Sequence, residues 1–141
     1  MYGDTAAGRK RVAQLREQGG DIRALASRLV AQAEAVAWHG KAAESMRSRI
    51  KDRAHHLRAA AVQHETAADS LATHLAAVDS LKDTIDTHGH KAAALVEDAR
   101  TRASRSSEDA GTDAETDAVL LAFDPPPDGH KDWLTVDLPG L

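Results

Sequence analysis

The chain has 141 residues, 29 of them Ala and only four aromatic, with no Cys and a formal net charge of −4. That composition excludes a disulfide scaffold and a thiolate metal site, excludes collagen-like and Pro-rich classes, and argues against an all-β sandwich. No apolar run approaches the roughly 18 residues of a membrane span, and the opening MYGDTAAGRKRV lacks the apolar stretch of an ordinary signal peptide.

Charge is unevenly spread. Residues 1–60 hold 12 Lys/Arg against 6 Asp/Glu, residues 61–105 hold 5 against 7, and residues 106–141 hold 1 against 9. A basic first part with an acidic tail can hold its own tail close or steer an acidic partner. Nucleic-acid binding is not expected, because acids are interspersed with the basic residues and no aromatic platform accompanies them.

The first element is a helix over about 4–37, capped by Asp4 or Thr5. Leu15, Ile22, Leu29 and Val36 recur every seven residues, and Val12, Gly19, Ala26 and Ala33 precede them by three. This is the pattern of an a/d seam. The phase survives Gly19-Gly20, so the pair marks a bend or a close approach of another helix rather than a loop.

A tight reversal at residues 38–40 follows. The second helix begins at Lys41, runs to about residue 86 and is expected to continue to 104, with a weak point at 87–90. Ile50, Leu57, His64, Leu71, Val78 and Ile85 form its seven-residue line, with Ala54, Ala61, Ala68 and Leu75 beside it. Sixty-four helical residues would extend about 96 Å. The expected fold is therefore all-α, an antiparallel two-helix hairpin with a longer second helix. A two-helix hairpin has little core, so the ten residues of the two seven-residue lines are expected to face a second helical chain.

The acidic, Pro-containing stretch 105–129 reads as a mostly disordered linker, most plainly at 104–118. The remaining residues, 130–141, are apolar where a tail is usually polar. Trp133, Leu134, Val136, Leu138 and Leu141 are candidate anchors of a peptide ligand, or of a segment that clips back on the helices.

No catalytic constellation is identifiable: there is no nucleophile with a base and an orienting group. Eight His invite a metal reading, but His55-His56 are adjacent, His64 and His74 are ten apart, and His88-Gly89-His90 specifies no third ligand. Neither a metal nor a cofactor is expected. His64, a polar residue in the seam, either sets register and partner choice or reaches solvent from the seam edge.

At the reversal stands Trp38-His39-Gly40, followed by GKAAESMR and a long Ala-rich helix. A helix of 30-odd residues, Trp-x-Gly at the turn and a second long helix resemble the WXG family, the helical hairpins of bacterial type VII (ESX) secretion. The resemblance covers about residues 4–86. The composition resembles that of high-GC actinobacterial proteins, and MYGD with PPPDGHKDWL resembles an actinobacterial subgroup with an extended tail. The resemblance implies an interaction protein that pairs as a homodimer or as a heterodimer with a WXG-like chain or effector. It is cytoplasmic or exported by a type VII system. Trp38 is then a plug for the hairpin end, a surface recognised by a secretion ATPase or partner, or both. Family members often carry Tyr-x-x-x-Asp/Glu after the second helix, whereas the only Tyr here is Tyr2. An adaptor that relies on its partner's signal fits that departure. The alternative expectation is a cytoplasmic coiled-coil scaffold unrelated to secretion.

Overall fold

The structure, a computed structural model, describes residues 4–105 and 113–141. It is all-helical, with no strand among the described residues. Helix α1 spans Thr5–Ala35, α2 spans Lys41–Ser104 and α3 spans Asp113–Leu121, and a 3-10 helix covers Lys131–Leu134. Among the described residues, contacts divide the chain into two units, 4–76 and 77–141. The division falls inside α2.

Asp4 starts α1: its carboxylate accepts the Ala6 N–H at 3.0 Å, satisfying one of the amides that a helix leaves unbonded at its first turn. The helix stops at Ala35, two residues earlier than expected, where Val36 turns extended. Gly40 has φ +107°, a conformation that glycine adopts without strain. Its carbonyl accepts the Glu44 N–H at 3.1 Å, opening α2. From there α2 runs unbroken through Gly89 to Ser104. The expected weak point at 87–90 is helical.

In the unit of residues 4–76 the buried positions of α1 are Thr5, Val12, Gly19, Ala26 and Ala33, every seventh residue. Ala43, Ala54, Ala61 and Ala68 are their buried counterparts on α2. The small-residue line is thus the centre of the contact rather than its companion. The reason is steric. A Cβ added at Gly19 would stand 3.3 Å from Glu65 Cγ and 3.4 Å from the Ala61 carbonyl, so the backbones come too close there for large side chains on the axis. Gly20 has nothing near its missing side chain. Contact partners descend α2 as α1 ascends: Gly8 meets Leu75, Arg16 meets Asp69, Gly19 meets Ala61 and Glu65, and Glu34 meets Lys51.

In the unit of residues 77–141, residues 113–141 pack against α2. Ile85, Ala92 and Ala99 of α2 form one apolar cluster with Leu120, Trp133 and Leu138, with Leu95, Phe123, Val136 and Leu141 packed alongside. This corrects the expectation of a mostly disordered tail. Residues 113–118 belong to α3, and 119–141 supply half of a core. Residues 106–112 of the expected linker lie outside the described residues. No helix among the described residues is long and apolar enough to cross a membrane.

Candidate interaction surfaces

The turn is built by one arginine that the periodicity did not single out. Arg47 Nη2 donates to the Val36 carbonyl at 2.8 Å and to the Trp38 carbonyl at 2.7 Å, and its Nε donates to the Ala33 carbonyl at 3.2 Å. It satisfies acceptors left unpaired at the end of α1. The cation also opposes the partial negative charge of the helix C-terminus. The available signal was its place, seven residues after Gly40, nearly two turns inside the second helix.

Trp38 is 45% exposed, beside Val36 at 47%. With the Trp38 carbonyl held by Arg47 and its N–H donating to the Val36 carbonyl at 2.9 Å, the local backbone is fixed while the indole remains accessible.

The large residues of the expected partner interface flank the small-residue line. Leu15, Ile22 and Leu29 on α1 and Ile50, Leu57, His64 and Leu71 on α2 are half-buried, and Val36 is exposed. Each of these α1 residues follows a buried position by three. Arg16 and Arg23 follow buried positions by four and stand on the other side of the line, since a helix turns about 100° per residue. Arg23 grips Glu65 through two bonds of 2.8 Å, and Arg16 meets Asp69 at 3.3 Å. Because the polar flanks of the two helices meet in these pairs, the apolar flanks share the opposite face. Residues 4–76 therefore have one charged face and one aliphatic face.

The hydrogen bonds from Arg23 hold the Glu65 carboxyl below its ordinary value, and the same partner raises the Arg23 guanidinium. His64 interrupts the aliphatic face but turns its Nδ1–H onto the Ala60 carbonyl of its own helix at 2.9 Å. The His-Gly-His stretch is divided in the same way: His88 Nδ1 donates to the Trp133 carbonyl and His90 Nδ1 to the Asp86 carbonyl. Among the described residues, no group of three or more metal-ligating side chains converges.

Val78 and Ile85, the last two residues of the α2 line, belong to the unit of residues 77–141. Val78 is half-buried, and Ile85 is 8% exposed beneath the chain's own C-terminal segment. Of the expected tail anchors, Trp133 and Leu138 are buried in that cluster, Val136 and Leu141 are half-buried and Leu134 is exposed. The indole lies on Gly89, where an added Cβ would make ordinary contact at 3.8 Å. Val78, Leu81, Lys82, Ile85 and Asp86 face Pro127–Lys131 and Leu134 across a cleft of about 520 Å³.

Comparison of the chain with protein-family models, with curated proteins and with solved structures finds no match.

Proposed function

We propose that this chain is a non-enzymatic interaction protein, a WXG-like partner or adaptor in type VII secretion, whose antiparallel hairpin pairs with another helical chain. The observation that carries the reading is the aliphatic face of residues 4–76, standing opposite a face closed by ion pairs. Seven half-exposed side chains at seven-residue spacing on two helices match the requirement of a helical partner laid along them. The descending contacts from Gly8–Leu75 to Glu34–Lys51 support the antiparallel sense. The Trp38-His39-Gly40 turn supports the secretion context, with the indole exposed and the backbone pinned by Arg47.

The pairing face and the turn carry separate roles in this reading. The face selects the partner, and Trp38 presents the pair to the export machinery. Expression of the tagged chain with its neighbouring reading frames, in an actinobacterial host with an active type VII system, tests it. The complex is expected in the culture filtrate, and Trp38→Ala is expected to abolish export while pairing persists. Retention of the wild-type complex inside the cell would favour the coiled-coil scaffold instead.

A further inference from the structure

Within the unit of residues 4–76, His64 is the polar member of otherwise aliphatic lines. On its own helix the residues three and four away are Ala60, Ala61, Ala67 and Ala68, and those seven away are Leu57 and Leu71. The ring is half-buried in the single chain. Its base sits against α1, since a Cβ added at Gly19 would lie 3.6 Å from His64 Cβ.

One hydrogen bond fixes the tautomer. The Ala60 carbonyl can only accept, so Nδ1 carries the proton in their 2.9 Å contact. A neutral ring then presents Nε2 as a bare acceptor, whereas a protonated ring carries N–H at both nitrogens and a full charge. The carboxylates at this level of the two helices lie off the aliphatic face. Glu65 is bonded to Arg23, and Asp69 meets Arg16, across the charged face. On α1, Glu17 and Asp21 stand two residues to either side of Gly19, about 160° round the helix from the contact line. The ionisable positions along the aliphatic flank within about three turns, Arg11, Arg53 and His74, are basic. A protonated His64 covered on this face therefore finds no counter-charge from its own chain. Burying an unpaired charge costs far more than burying the neutral ring.

We propose that His64 makes pairing along the aliphatic face conditional on a neutral imidazole, so that acid releases the partner. This rests on the pairing reading above and adds its regulation. The uncovered chain binds the proton and the covered chain excludes it. Release is coupled to proton uptake, and pairing weakens as pH falls.

Light scattering across concentration, on the full chain alone and on the complex isolated with its co-expressed neighbours, tests the proposal. Measurements at about pH 8 and about pH 5.5 span the ordinary titration of an imidazole and stay above that of carboxylates. The wild-type association midpoint is expected to rise about tenfold at the lower pH for each His64 covered, the fold-change for excluding one proton about a pH unit below the imidazole range. His64→Leu, which continues the aliphatic line, is expected to keep one midpoint at both pH values with its far-UV ellipticity intact. A wild-type midpoint that does not rise, or that rises equally in His64→Leu, overturns the proposal. Tighter wild-type pairing in acid overturns it as well, because it sets a partner carboxylate against the ring. Nitrogen NMR of the imidazole, assigned by its loss in His64→Leu, reads the tautomer whether or not the chain pairs. Protonated Nδ1 and bare Nε2 are expected at the higher pH, and the reverse overturns the arrangement on which the switch stands. If wild type and variant both stay single at either pH, the pairing reading fails and the switch with it. Association without a pH response sinks the switch and leaves the pairing reading standing.

Discussion

The guanidinium of Arg47 holds three carbonyls at the turn, those of Ala33, Val36 and Trp38. Arg47→Ala is expected to lower the unfolding free energy of the full chain by roughly 1 to 3 kcal/mol, the range for losing charge-assisted bonds. Arg47→Lys, which lacks the planar fork, should recover only part. Chemical denaturation measures both, and an unchanged midpoint in the alanine variant would remove Arg47 from the account of the turn. At Glu65 the prediction concerns pH. Its folded carboxyl is held below the ordinary value of 4.5, first by the hydrogen bonds from Arg23. The unfolded chain therefore binds the proton more readily through that window, and stability rises with pH there. The contribution is complete above the unfolded value and is lost as pH falls through the folded one. Glu65→Gln should flatten the stability profile in that acidic range, and a profile with unchanged slope would contradict the role given to the pair.

At the scale of the elements, the two glycines that the periodicity ran through separate cleanly. Gly20 faces open space and Gly19 faces Ala61 and Glu65. Gly20→Ala should stabilise α1 by up to about 1 kcal/mol through helix propensity. Gly19→Leu should destabilise the hairpin, because its side chain must enter the helix contact. Thermal melts of the two variants in opposite directions are the expected result. Both long helices were legible from the seven-residue spacing, down to the start of α2 at Lys41. The periodicity marked the stripe but not which of its two lines is the axis. Val12, Gly19, Ala26 and Ala33 occupy it because backbone proximity favours small residues, and the more hydrophobic Leu15, Ile22 and Leu29 are displaced to the flank. The order in the tail was not legible. Local composition at 113–121 is acidic and simple, and what holds α3 is tertiary: Leu120 at 1% exposure in the apolar cluster and Asp117 paired with Arg102. Trp133 and Leu138 were legible as anchors, but Gly89 as the seat of the indole depends on a contact 44 residues away in sequence.

For the whole molecule, the two units handle their apolar surface differently. Residues 77–141 cover the α2 line at Ile85, Ala92 and Ala99 with a segment of the same chain. Residues 4–76 leave Leu15, Ile22, Leu29, Ile50, Leu57 and Leu71 half-buried along one face. Aliphatic burial stabilises association in proportion to the area removed from water, and a chain that pairs along this face is more stable as its concentration rises. The proposed role in secretion depends on that pairing, since the face is what selects the partner. The most direct measurement is therefore the solution mass by light scattering across concentration, on the chain alone and after co-expression with its neighbouring reading frames, beside the double variant Ile22→Glu/Leu57→Glu. The account predicts a mass above the 15.0 kDa of one chain for the wild type, alone or with a helical partner, and a single chain for the double variant with its helicity intact. A wild-type chain that stays at the monomer mass at every concentration and with every co-expressed neighbour would contradict it.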